Sequence, residues 1–239
     1  MVRVIKEEVH SAKRNEILDA ALTLVYAKGY SRMTVQDILD QLQISKGAFY
    51  HYFDSKADVL EALVERMVVE QMEPLLLATI RDPNLTALEK LQCYFDTAVR
   101  WKSAKKNLVM ELTRVWYSDE NALARQKMYA LMVAHVTPLF NEIIDQGARE
   151  GTFTTPYPEQ ASLMNIGLIQ SLGDTFAQML LVEELGGDDR LERAKRLVAA
   201  YNDAIERVLG APHGSIRLMD DEALKEWFPA SDGIPARGA

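Results

Sequence analysis

Apolar residues return every three or four positions along nearly the whole chain, alternating β-branched runs are almost absent, and only 12 glycines and 8 prolines interrupt 239 residues. That spacing fills one stripe of a helix and would scatter apolar groups over both faces of a strand. The chain is therefore predicted to be all-α. A chain of this length can bury a substantial core, and a change in helix length divides it. Short helices occupy an N-terminal domain over 1–57, and a larger helical domain follows over 58–210. A long helix over about 55–80 links them, and 211–239, rich in Gly, Pro and Ala, is expected to be a partly ordered tail.

The local signals for helix ends are specific. A first helix over about 11–28 places Ile17, Ala21, Leu24 and Val25 on one face and ends at Lys28-Gly29, a cation followed by a glycine stop. Thr34, with Asp37 three residues on and Met33 and Ile38 as a hydrophobic staple, opens a second helix whose apolar stripe is Val35, Ile38, Leu39 and Leu42. After Leu42-Gln43-Ile44, Ser45 caps a third helix of about two turns reaching Tyr52. Ser55 with Asp58 opens the fourth. Beyond Asp82-Pro83-Asn84 the helices lengthen: 86–103, about 105–117, a long one to Glu150, 158–184 with Pro158 at its first position, and 189–209 after Gly186-Gly187. In the tail, Asp220, Asp221 and Glu222 precede Ala223, Leu224, Trp227 and Phe228, the pattern of a short amphipathic helix docked on the protein's own surface.

Composition excludes several classes. No apolar run approaches the ~18 residues of a membrane span, and the N-terminus lacks the apolar segment of a secretory signal, so a cytoplasmic location without membrane association is expected. The single cysteine, Cys93, reads as a small buried hydrophobe, and no cysteine or histidine spacing suggests a metal. There is no nucleophile, base and orienter set and no phosphate loop; the expectation is a non-enzyme without cofactor. The formal net charge is -8, and 1–70 holds 9 Lys and Arg against 11 Asp and Glu. Any nucleic-acid contact must be local, made by a few cations, neutral donors and helix N-termini.

Two short helices, Thr34 to Gln41 and Ser45 to Tyr52, have the dimensions of a helix-turn-helix whose second member enters a major groove. Phe49 and Phe53, one turn apart, can anchor it while Lys46, Gly47, Tyr50 and His51 face outward. The stretch from Arg14 to Leu63 closely resembles the N-terminal domain of TetR-family regulators. The resemblance is carried by Gly29-Tyr30, Thr34-Val35-x-x-Ile38, Ser45-Lys46-Gly47-x-Phe49-Tyr50-x-Tyr52-Phe53 and Ser55-Lys56. It implies a three-helix DNA-binding domain followed by a C-terminal helical bundle for effector binding and dimerisation. It also implies a homodimer on double-stranded, palindromic operator DNA, and repression relieved by a small, largely apolar effector. By position, Thr34, Tyr50, Tyr52 and Lys56 resemble the family's phosphate contacts, with the Ser45 cap alongside. Lys46, Gly47, Ala48 and His51 take its groove-facing positions; His51 stands where many relatives have an aromatic, and Tyr52 where many have a histidine. Arg3, Lys6, Lys13 and Arg14 form a candidate arm, interrupted by Glu7 and Glu8.

Large, adaptable or unusually polar groups in apolar segments make the candidate effector site: Trp101, Met110, Arg114, Trp116, Tyr117, Tyr129, Met132, His135, Met164, Phe176 and Met179. If the resemblance extends to the last two long helices, Gly167, Leu168, Ser171, Leu172, Leu197, Ala200, Tyr201, Ala204 and Val208 are candidates for the dimer interface, with intramolecular core as the competing assignment. An activator of the same fold is the nearest alternative function. A helical ligand-binding protein or enzyme that no longer binds DNA is the alternative from another class.

Overall fold

The computed structural model describes residues 2–66, 73–118, 121–181 and 187–229, and among them every regular element is a helix. In chain order these are α1 (Val2–Lys28), α2 (Val35–Leu42), α3 (Lys46–Tyr50), α4 (Lys56–Arg66), α5 (Glu73–Ile80), α6 (Ala87–Ala104), α7 (Lys106–Trp116), α8 (Ala122–Glu150), α9 (Pro158–Leu181), α10 (Gly187–Leu209) and α11 (Asp221–Trp227). No described helix is long and apolar enough to cross a membrane. Two compact units emerge, one from residues 1–71 and 107–128, the other from 72–106 and 129–239.

In the first unit, Ile17, Leu18, Ala21 and Val25 of α1 pack with Ile38, Leu39, Phe49, Val59, Leu60 and Leu63, all buried. Helix α1 starts at Val2, well before the expected residue 11, and runs through Ser11 without a break, because no Gly or Pro intervenes. Helix α3 is shorter than expected. His51 is its C-cap, and Tyr52 N–H returns three residues to the Phe49 carbonyl at 2.9 Å, the tighter bonding of a closing turn. Of the long helix expected over about 55–80, α4 and α5 are the described parts; 67–72 lie outside the described residues, as does Gly186 of the expected break before α10.

In the second unit α9 and α10 pack along each other, and α6 and α11 also meet. The loop after α8 turns through Gly151, whose φ of +73° suits glycine. The turn lays Phe153 so closely on Gly147 that a Cβ there would sit 2.1 Å from the ring. The segment after α10 is tied down by side chains. The buried Glu206 carboxylate accepts from Gly214 N–H at 3.0 Å and Ile216 N–H at 2.9 Å, and Asn202 Oδ1 accepts from Leu218 N–H at 3.0 Å. Helix α11 then buries Leu224 and Trp227; the indole N–H donates to Ser103 Oγ at 2.9 Å, and Phe228 meets Phe176 at 5.0 Å between centroids. Up to Pro229 the tail is therefore ordered; 230–239 lie outside the described residues.

Candidate nucleic-acid interface

The helix-turn-helix is set by its caps. Thr34 Oγ1 accepts from Asp37 N–H at 3.2 Å while Asp37 Oδ2 accepts from Thr34 N–H at 2.7 Å, a reciprocal box that closes the start of α2. Lys28, at the end of α1, lies 2.6 Å from the same carboxylate. Lys28 and Thr34 together hold the Asp37 carboxyl down at about 2. The chain leaves α2 through Gln43 in the left-handed conformation (φ +53°), then extends through Ser45, whose Oγ accepts from Ala48 N–H at 3.2 Å. Phe49, fully buried, and Phe53 hold α3 against the core at 6.0 Å from each other. Because those anchors use one side of so short a helix, Lys46, Gly47, Tyr50 and His51 are left exposed, with Ala48 half-buried. Lys46 Nζ lies 5.8 Å from the Tyr50 ring centroid, so the one cation of α3 stays beside the exposed phenol.

Two expected phosphate contacts sit differently from the rest. Tyr52 is half-buried under a ring from α1, His10, at 4.6 Å, and His51 lies 5.0 Å from Tyr52 and 5.5 Å from His10. Lys56 is half-buried, with its ammonium 4.3 Å from the Tyr30 ring and donating to the carbonyls of Met33 at 2.8 Å and Ser31 at 3.3 Å. Partial burial pulls its pKa below the ordinary lysine value, against the opposing pull of Asp37. Lys56 thus braces the loop that leads into Thr34. The same loop is held from α7: Glu111 Oε1 accepts the Tyr30 N–H at 3.1 Å, beside Gly29, whose φ of +81° and lack of a Cβ allow the carboxylate in. Of the candidate arm, Lys13 pairs with Glu16 at 2.5 Å, and Arg14 stacks over Phe53 at 5.4 Å and approaches Glu65 at 3.7 Å. The side chains of Arg3 and Lys6 lie outside those described.

The effector candidates fall in several places. Tyr129 and Met132 line a small cleft of about 20 Å3, together with Tyr94, Val136, Ile166, Ile169 and Gln170. The other five were not among the candidates; Ile166, Ile169 and Gln170 form an i, i+3, i+4 face on α9 that continues from Gly167, a dimer candidate 3.9 Å from the Tyr129 hydroxyl at its ideal Cβ. Burial pushes the Tyr94 hydroxyl up to about 12, so it stays neutral there. Met110, Arg114, Trp116 and Tyr117 belong to the first unit, where Arg125 stacks over Tyr117 at 5.4 Å. Trp101 carries the Lys105 ammonium over its ring at 4.5 Å, and Phe176 packs on Phe228. Met179 is buried, while His135 and Met164 are exposed. Among the dimer candidates, Leu172 is buried and Leu168, Leu197, Tyr201, Ala204 and Val208 are half-buried. Ser171 and Ala200 are exposed; the Ser171 and Tyr201 hydroxyls lie 2.8 Å apart, linking α9 to α10. Among the described residues no group of three or more His, Cys, Asp or Glu is placed to hold a metal.

Residues 17–63 match the family described as bacterial regulatory proteins, tetR family. The chain is 42% identical over 55 residues to an uncharacterized HTH-type transcriptional regulator in the lacX 3' region of Lactococcus lactis subsp. lactis, covering 23% of this chain and 28% of that one. It is 25% identical over 154 residues to the HTH-type transcriptional repressor KstR2 of Rhodococcus jostii (strain RHA1), covering 60% of this chain and 69% of that one. The chain thus spans about three tenths of the length of the first curated relatives it matches. Among solved structures, the SmeT–triclosan complex, SmeT being a Stenotrophomonas maltophilia repressor, shares the fold with a TM-score of 0.58 at 21% identity, over 87% of this chain and 98% of that one. Capped α2, the tight turn at Gln43 and the outward face of α3 all lie within residues 17–63, the segment that matches the family described as bacterial regulatory proteins, tetR family.

Proposed function

We propose that the protein is a cytoplasmic, non-enzymatic transcriptional regulator that binds double-stranded operator DNA as a homodimer and releases it when a small, largely apolar molecule binds. The observation that carries this is the division of α3: Phe49 is wholly buried, while Lys46, Gly47, Tyr50 and His51 are exposed on a helix fixed at its start by Ser45. A helix presented in this way reads base edges through its exposed side chains, and neighbouring caps and hydroxyls fix it on the phosphates. Thr34, Ser45, Tyr50 and Tyr52 serve as positioning contacts, Lys46, Gly47, Ala48 and His51 face the groove, and Lys56 acts by holding the loop before α2.

Repression agrees with the relatives named repressors, KstR2 among them. A dimer through α9 and α10 agrees with the exposed Leu163 and Met164 and the small residues Gly167, Ser171 and Ala200 on those helices. Two α3 helices about 34 Å apart would meet successive major grooves of a palindrome. The lining of this small cleft agrees with an uncharged effector, since Tyr94, Tyr129, Met132, Val136, Ile166, Ile169 and Gln170 include no ionised side chain, and a bound molecule would have to widen it; SmeT, which shares the fold, is known with triclosan. Such a molecule shifts the operator-bound population only by its differential affinity for the two conformations.

The test is selection of bound fragments from genomic DNA, followed by mobility shift. The expected result is one palindromic sequence retained, with Lys46→Ala or His51→Ala changing base preference and Lys56→Ala weakening binding to every sequence. Failure to enrich any sequence would exclude the function.

A further inference from the structure

We propose that His10, which lies outside the helix-turn-helix and outside the matched segment, is a specificity-determining residue that positions the His51 ring for base reading. This rests on the DNA-binding function proposed above. Three rings, His10 of α1 and His51 and Tyr52 of the turn that ends α3, meet beside α3. His10 of α1 lies 4.6 Å from Tyr52 at an interplanar angle of 43° and 5.5 Å from His51 at 74°, and His51 lies 5.0 Å from Tyr52 at 84°. These are the tilted and edge-to-face separations at which aromatic rings attract. His10 and His51 are both exposed, so neither ring is needed to fill the core.

The arrangement matters because of where His51 stands. It is the C-cap of a five-residue helix, with backbone still in the helical region and a single closing turn, not further helix, after it. Its neighbour Phe49 is committed to the core, and the other exposed aromatic, Tyr50, is paired with Lys46. His10 and Tyr52 are the ring contacts of His51 among the described residues. A ring restrained on two sides loses less freedom on meeting a base edge than a free one, which strengthens the favoured contact relative to the wrong base. The described cations nearby on α1 are already engaged, Lys13 with Glu16 and Arg14 with Phe53 and Glu65, and among the described α1 side chains His10 is the one in ring contact with His51. His10 acts through His51 and is a positioning residue.

The experiment is a double-mutant cycle on the duplex selected by the wild-type chain. Affinities are measured for wild type, His10→Ala, His51→Ala and the double variant, against duplexes carrying each of the four bases at the position whose preference His51→Ala alters. His10→Phe is run alongside. His10→Ala is expected to weaken binding to the favoured duplex by about two- to tenfold, the weight of one aromatic pair, and to flatten preference at the same position as His51→Ala. In the double variant, loss of His10 should add no further effect. His10→Phe, which keeps a ring, should restore that preference, an outcome that general stabilisation of α1 would not produce. Additive losses, or a His10→Ala variant with unchanged base preference, would overturn the proposal and leave DNA binding intact. A wild-type chain without sequence selectivity would instead overturn the DNA-binding function, and this proposal with it.

Discussion

The turn around Gln43 and the cleft between α6, α8 and α9 treat their polar groups in opposite ways. In the first, Thr34, Asp37, Ser45 and Asp58 each close a helix start, and Lys56 and Glu111 satisfy the backbone of the loop before α2. In the second unit, Asn165 of α9 is 1% exposed, and neither atom of its amide has a hydrogen-bond partner among the described residues; on α8 the buried Thr137 Oγ1 and Asn141 Oδ1 are likewise unpaired. Asn165 lies one turn before Ile169 and next to Ile166, both of which line the cleft. A reader must hold its exposed side chains in one arrangement, and full satisfaction of its polar groups does that. If the second unit binds an effector, as proposed, unpaired polar groups would serve it by finding their partner only in the bound state, because the unpaired state is then the less stable one.

Several substitutions would break or sharpen this contrast. Phe49→Ala should have the largest effect, destabilising the first unit by about 3–5 kcal/mol through lost burial and a residual cavity, measured by denaturant unfolding and by loss of DNA binding. Asn165→Leu should act in the other direction. By replacing an unpaired buried amide with an apolar group of similar size it should stabilise the chain by about 1–3 kcal/mol, read as a raised unfolding midpoint. A loss of stability would show that the amide is paired in solution. Thr34→Ala removes one half of the cap on α2 and should cost about 0.5–2 kcal/mol, seen in the same unfolding experiment.

The smallest effect concerns acid. Asp37 has its folded pKa lowered to about 2 from the ordinary 3.8, so its contribution to stability is fully present above about pH 4 and is lost as the pH falls toward 2. Asp37→Asn should remove that part of the acid sensitivity, leaving a shallower loss between pH 4 and 2 in a circular-dichroism titration.

What could be read in the sequence follows the range of the interactions. The caps at Thr34 and Ser45 join residues three apart and are written in the local pattern, as is the buried and exposed division of α3. So too was the amphipathic α11, whose Trp227 and Phe228 dock where an apolar face preceded by acidic residues predicts. Contacts made at distance were not legible: Glu111 reaches Tyr30 across 81 positions, and His10 meets Tyr52 from another helix, neither leaving any periodic trace. The cleft was legible only in part for the same reason. Tyr129 and Met132 stand out by type, whereas Ile166 and Ile169 resemble any core residue until α9 is placed beside α8.

An acidic chain with one cation on its reading helix should depend on geometry more than on charge. The most direct test is the affinity of the purified protein for its selected palindrome and for a scrambled duplex of equal length, measured over a series of salt concentrations. The account predicts preference for the palindrome by about a thousandfold or more at physiological salt, with both affinities falling as salt rises through counterion release. Equal affinity for the two duplexes at every salt concentration would contradict it.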